Sequence, residues 1–251
     1  MVKHTVEHIE KIKESMNSEK TLKKMRKYNV NENFFETWSD DMTYILGFLY
    51  ADGNLDSDKD SYIVTLRLKE SDREHLVKIV RCMSRDLPVR KETTKLNGKS
   101  YFNYVVYIDR KKIYNDLLKL GLHSNKTFTI RFPDIPKEYV RHFIRGYFDG
   151  DGCMGCNSMS KNPRGWTFDI CSGSKQFIFD LQGVFMKNLN LNGRIYFDGS
   201  MYILIISKQE YLKQIYHFFY NNANLYLQRK KDKFGEFMKI MEPIEIELEV
   251  K

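Results

Sequence analysis

The chain has 251 residues, 42% hydrophobic and 29% charged, a balance that excludes disorder along most of its length. Its net charge of +8 at pH 7 calls for an anionic partner, nucleic acid or an anionic membrane, without choosing between them. Residues 1–10 hold no apolar core of signal-peptide length, and no apolar run nears the roughly 20 residues that span a bilayer. A soluble, unsecreted protein of the cytoplasm, nucleoid-associated, or of an organellar matrix is therefore expected.

The first segment, Met1 to about Ser39, is expected to be helical and charged, with Lys20, Lys23, Lys24, Arg26 and Lys27 close together. Such a run is a solvated helix face or an auxiliary DNA-backbone contact. Ser39 then starts a helix as its N-cap, with Asp40 and Asp41 in the first turn, where carboxylates favour the helix dipole. That helix carries the nonapeptide Ile45-Leu-Gly-Phe-Leu-Tyr-Ala-Asp-Gly53. Ser61–Lys69 alternates, with Tyr62, Val64, Leu66 and Leu68 on one face, as a half-buried strand does. A helix capped by Asp72 runs to Met83, and Asn97-Gly98 joins Val89–Leu96 to Ser100–Ile108 as a hairpin. Arg110 to Leu120 closes the unit as a helix.

The same order then recurs. Pro136, followed by Glu138, suits the first turn of a second helix ending in Ile144-Arg-Gly-Tyr-Phe-Asp-Gly-Asp-Gly152. Cys153 and Cys156 form an isolated C-x-x-C in an expected loop; with no second ligand pair nearby, zinc is not expected. Trp166, Phe168 and Ile170 alternate with polar or small residues, and Ser174 caps a helix to Leu189. Asp198-Gly199 joins Gly193–Phe197 to Met201–Ser207, and a helix covers Lys208 to Asn221. Each copy reads α-β-α-β-β-α, with room for one further strand before the middle helix. The expected division is an extension over 1–39, repeats over 40–135 and 136–241, and an acidic, strictly alternating tail over 242–251. Fold class is α+β, duplicated.

Both nonapeptides place a glycine four residues before a small residue, Gly47 to Ala51 and Gly146 to Gly150, on one helix face. Such a stripe lets two helix backbones approach closely. Packed in pseudo-twofold fashion, the two helices bring Asp52 and Asp151 together at the end of the seam. Gly53 and Gly152 are expected to end the helices. Two close carboxylates repel unless a proton or cation lies between them, and Mg²⁺ is held by one or two carboxylates plus substrate phosphate. That donor set suits metal-assisted phosphodiester hydrolysis.

With these residues the chain resembles the LAGLIDADG family, whose nine-letter motif is similar to Ile45–Gly53 and Ile144–Gly152. The resemblance covers about residues 36 to 240. It implies a homing endonuclease with paired motif helices between two repeats, curved antiparallel sheets in the DNA major groove, and metal on the eighth motif residue. That residue is Asp52 in one copy and Asp151 in the other, and no backbone ligand is assigned at position 51. The cation would be Mg²⁺ or Mn²⁺, with Ca²⁺ as a non-catalytic substitute. The copies depart from the motif at Leu46 and Arg145 in position two, and position six is Tyr50 in the first copy but Asp149 in the second. The two halves are thus unequal, as a monomer reading an asymmetric double-stranded site requires.

The resemblance also implies a Lys or Gln beside each acid. The best matches are Lys126 and Gln228, with Lys230 an equal alternative to the latter. The outward strand faces are expected to read DNA through Arg67, Lys69, Lys91, Lys95, Asn97, Lys99, Asn103, Arg194 and Tyr196, with Lys230 added as a DNA contact and the Asp198 turn nearby. Other readings are a non-catalytic DNA-binding regulator and a maturase acting on its own intron RNA. An intein-borne nuclease is disfavoured, because the chain starts with Met1 and lacks a terminal Cys or His-Asn.

Overall fold

The computed structural model describes residues 10, 27–58, 61–96, 98–156 and 165–241. The basic cluster from Lys20 to Arg26, Asn97 and the acidic tail over 242–251 lie outside the described residues. From Lys27 to Ser39 the chain forms turns and a bridge, not the expected helix: Val30 pairs with Ser84, and Phe35 is buried against the first repeat. Among the described residues no helix is long and apolar enough to cross a membrane.

Two copies of one α+β unit follow. The first runs α1 (Asp40–Asp52), β1 (Gly53–Asp58), β2 (Ser61–Lys69), α2 (Arg73–Met83), β3 (Arg90–Leu96), β4 (Lys99–Asp109) and α3 (Lys111–Lys119). The second runs α4 (Val140–Asp151), β5 (Gly152–Cys156), β6 (Trp166–Ser172), α5 (Lys175–Leu189), β7 (Arg194–Phe197), β8 (Tyr202–Ile206) and α6 (Gln209–Tyr220), followed by α7 (Gln228–Met241). The further strand before each middle helix is present as β1 and β5, so Cys153 and Cys156 lie on a strand. Each unit forms a four-stranded antiparallel sheet, ordered β1-β2-β4-β3 and β5-β6-β8-β7.

Ser39 caps α1, its Oγ accepting from the Met42 amide at 3.2 Å, and Ser174 caps α5 in the same way from Phe177. Asp72 does not cap α2; its carboxylate instead takes a bidentate pair from Arg229, 157 residues away. Pro136 does not open α4 either. It begins a separate turn, the Tyr139 amide donating to its carbonyl, and the helix starts at Val140. The β3–β4 hairpin closes with Leu96 opposite Lys99 and Gly98 at φ +75, which calls for glycine. The β7–β8 turn is longer than a two-residue one: Phe197 pairs with Tyr202, and the Asp198 carboxylate accepts from the Ser200 and Met201 amides.

α1 and α4 pack against each other at the centre. A Cβ on Gly47 would stand 2.1 Å from the Phe143 carbonyl oxygen, and one on Gly146 2.0 Å from that of Tyr44. Only glycine permits that approach. At the far end a Cβ on Gly150 would stand 2.3 Å from that of Ala51, so the small pair sets how close the helix ends come. Gly53 and Gly152 have extended backbones, not left-handed ones. Their missing Cβ clears Leu49 and Phe148 respectively.

Candidate active site

Asp52 and Asp151 are the last residues of α1 and α4, so the glycine seam delivers both carboxylates to one place. Asp52 is exposed at the end of a seam otherwise crowded by protein. Burial, reinforced by the negative charge of Asp151, pushes its carboxyl up to about 6. Asp151 is raised too, by burial, with Lys126 and Lys230 pulling in the opposite sense. Each carboxylate therefore resists ionising alone and gains from nearby positive charge.

Two lysines supply such charge. Ser124 donates to the Leu55 carbonyl at 2.7 Å, and Asn125 takes a left-handed conformation, φ 55, that short polar residues tolerate. The turn aims Lys126 at the end of α1, where its Nζ donates to the Ala51 carbonyl at 2.8 Å. Lys230, in the first turn of α7, is buried and donates to the carbonyls of Phe148, Gly150 and Gly152 at 2.5, 3.2 and 2.7 Å. Ala51 and Gly150 occupy the same motif position, so Lys126 and Lys230 are counterparts. Burial lowers both ammonium pKa values, that of Lys230 to about 8. Gln228 lies on the exposed side of α7, its amide donating to Asp232 at 2.8 Å, and does not reach the carboxylates. Lys230, inside the protein, thus stands at the end of α4, and Gln228 does not.

Arg145 and Asp149, where the second motif differs from the first, anchor an interior network. Arg145, nearly wholly buried, donates to the Leu225 and Phe219 carbonyls at 3.0 and 2.8 Å and meets His142 Nδ1 at 2.9 Å. His142 Nε2 lies 3.1 Å from Asp40. Asp149 accepts from the Tyr44 hydroxyl at 2.6 Å and from the Leu227 amide at 2.7 Å. His75 Nε2 lies 2.8 Å from the same hydroxyl; with its pKa lowered to about 4 by burial it is neutral, and it donates there. Asp149 therefore holds the start of α7, three residues before Lys230. Arg229 fastens the same turn to Asp72 of the first repeat.

Strand register decides which predicted DNA contacts share a face, because cross-strand partners point to the same side. Arg67 pairs with Val105, Lys69 with Asn103, and Arg90 and Glu92 with Val105 and Asn103. These side chains face away from the helices, as does Lys99, and Arg67 pairs with Glu92 at 3.0 Å. Lys91 and Lys95 do not belong with them. They pair with Tyr104 and Ser100 on the opposite face, where Lys91 bonds Glu70 at 2.8 Å and covers the Phe102 ring. In β3 the outward basic residue is Arg90. In the second sheet Arg194 and Tyr196 face outward, opposite Ile205 and Ile203.

Residues 138–217, most of the second repeat, match the LAGLIDADG-like domain family. The chain has the single-chain, two-motif LAGLIDADG fold. It superimposes on the homing endonuclease I-WcaI bound to its DNA recognition sequence with TM-score 0.57, at 16% identity over 87% of this chain and 93% of that one. For the LAGLIDADG meganuclease I-AabMI bound to uncleaved DNA the TM-score is 0.53, at 16% identity over 80% and 91%. Full-length DUF199/WhiA from Thermatoga maritima gives 0.50, at 16% identity over 83% and 64%. Among curated proteins, 51% of the chain is 24% identical to reverse gyrase of Methanocaldococcus jannaschii, and 61% is 26% identical to a probable translation initiation factor of that organism. The chain matches only 9% and 12% of the length of those two relatives.

Proposed function

We propose that the chain is a homing endonuclease that hydrolyses one phosphodiester on each strand of a long, asymmetric double-stranded DNA target with a divalent cation. The observation that carries this reading is the meeting of Asp52 and Asp151 at one seam, each acid accompanied by a lysine, Lys126 half-buried and Lys230 buried. Solved proteins of the same fold are held on DNA, I-WcaI on its recognition sequence among them.

The donor set fits a hard cation. Among the described residues no group of three or more His, Cys, Asp or Glu could hold a metal ion, so protein ligation comes down to the two carboxylates. Mg²⁺ accepts that arrangement, completing its shell with phosphate oxygens and water, and Mn²⁺ is its substitute; Ca²⁺ would support binding without cleavage. When bound, the ion neutralises developing charge and polarises the phosphoryl group. The rest falls to the chain. Asp52 and Asp151 fix negative charge between the repeats, and Lys126 and Lys230 set compensating positive charge beside the helix ends that carry them. Water adds to phosphorus as the ester P–O bond breaks, and a proton ends on the departing sugar oxygen. One chain supplies both acids, so a monomer suffices.

A second reading, the same nuclease carried inside a longer host protein, is favoured by the curated matches. Two proteins with unrelated names share a segment with this chain amounting to about a tenth of their length. A non-catalytic regulator needs neither acid, yet both are in place. The test is incubation of a randomised duplex library with Mg²⁺ or with EDTA, followed by sequencing of new ends. Mg²⁺-dependent ends sharing one long, imperfectly palindromic consensus support the endonuclease. Salt-sensitive, sequence-specific binding without ends would favour the regulator or the maturase.

A further inference from the structure

We infer that the outward face of the second sheet reads thymine methyl groups, so that the half-site under the second repeat is rich in A·T pairs. This rests on the DNA-cleaving reading above. Across that sheet Cys153, Asp169, Ile205 and Arg194 form one row, and Cys171, Ile203 and Tyr196 the next. Their neighbours on the other face, including Met154, Phe168 and Leu204, fill the core. Ile203 and Ile205 are half-buried side chains that take no part in that core. The face is continuous with the candidate active site, since β5 starts directly after Asp151.

The corresponding rows of the first sheet differ in kind. There Arg67, Val105 and Arg90 lie side by side, next to Lys69, Asn103 and Glu92. Arginines and amides recognise hydrogen-bonding base edges, above all guanine. Isoleucines cannot, but in the major groove they meet the one apolar group any base pair presents, the C5-methyl of thymine, while the Cys171 thiol is taken up by the Asp151 carbonyl. The single acid on the second face argues against a backbone-tracking role. Asp169 repels phosphate, and its buried Oδ1 has no hydrogen-bond partner, so it is suited to accept from an exocyclic base amine. The one cation of these rows, Arg194, sits on the edge strand β7, where with Lys208 it lines a groove beside Thr167, Ile205 and Tyr211.

The test uses the full chain with Ca²⁺. A duplex selected from a randomised library is rebuilt with deoxyuridine for thymidine in one half-site at a time, which removes the methyl and leaves base pairing unchanged. Dissociation constants are compared for the native chain and for a folded Ile203→Ser/Ile205→Ser variant. Uracil in one half should weaken binding by about fourfold per methyl lost, and the variant should lose that response. Uracil in the other half should change affinity less than twofold. Equal effects in the two halves, no effect in either, or an undiminished response in the variant would overturn the inference while leaving the nuclease reading intact. A concentration-dependent dimer abolished by the same variant would also overturn it, assigning the face to a second copy. Failure to select any duplex would remove both.

Discussion

Gly146→Ala tests the seam directly. A Cβ there would lie 2.0 Å from the Tyr44 carbonyl oxygen and 2.9 Å from the Phe48 nitrogen, whereas ordinary contact begins at 3.4 Å. Both obstacles are main-chain atoms of a buried helix, so the two helices must part by more than an ångström. Overpacking a rigid core costs about 1–3 kcal/mol, and backbone obstacles put this case at the upper end. At roughly 2–4 °C per kcal/mol for a chain of this length, the melting midpoint should fall by about 6–12 °C. Gly183→Ala and Gly235→Ala make the same chemical change inside α5 and α7, with nothing within 4 Å of the new carbon. Each should gain about 0.5–1 kcal/mol from lost backbone freedom in the unfolded chain. Thermal unfolding with reversible urea titration measures all three. Cleavage by the Gly146 variant should fall further than its stability, because the helices that part also carry Asp52 and Asp151. A Gly146 variant within about 0.5 kcal/mol of the parent would refute the close-packed seam.

Four further outcomes follow from the same geometry. Asp52→Asn and Asp151→Asn should each abolish double-strand cleavage while specific DNA binding survives; loss of binding in a folded variant would count against the catalytic assignment. The raised carboxyl of Asp52 makes ionisation costly in the metal-free fold, so its contribution to stability is lost as pH rises through about 6. Asp52→Asn should therefore stabilise the metal-free protein at pH 8 more than at pH 5, and Mn²⁺ affinity of the parent, read by calorimetry, should drop below about pH 6. Lys230→Met strips a donor from three carbonyls and should cost about 2 kcal/mol together with cleavage, whereas Gln228→Ala should change unfolding by less than about 0.5 kcal/mol. Tyr44→Phe removes the hydroxyl that Asp149 accepts from, and should destabilise by about 1–3 kcal/mol at pH 7. Because burial lifts the Asp149 carboxyl to about 6, that loss should shrink at pH 5; a pH-independent loss would deny the charge on Asp149.

The duplication, the seam and the paired acids are legible because they rest on local pattern: a nonapeptide repeated in register, glycines four residues from small partners, alternation in β2 and β6. Two further placements are legible in the same way. Leu227, Lys230, Phe234 and Phe237 recur at three- and four-residue spacing, the stripe of a packed helix. That stripe puts Lys230 inward and Gln228 outward. Likewise a two-residue turn at positions 97 and 98 fixes Lys91 opposite Tyr104, on the side of Val106 and Ile108, and selects Arg90 for the outer face. Other features were out of reach. That Asp72 would meet Arg229 depends on how α7 crosses to the first repeat, which no local pattern encodes.

The unequal motif positions gain a structural meaning from their partners. Asp149 takes its hydroxyl donor from Tyr44, and the residue at the corresponding place in the second repeat is Phe143. Two second repeats facing each other would bury Asp149 against a ring without a hydroxyl, leaving it the Leu227 amide alone, and loss of that charge-assisted hydrogen bond costs about 1–3 kcal/mol. Two first repeats would lack both Arg145 and Asp149, having Leu46 and Tyr50 instead, and Tyr44 would face no carboxylate there. Each repeat therefore matches the other better than it matches itself. The same inequality reaches the sheets, where hydrogen-bonding side chains line one outer face and isoleucines the other. A seam that rejects self-pairing keeps those two unlike surfaces together in a fixed order, as reading an asymmetric target demands.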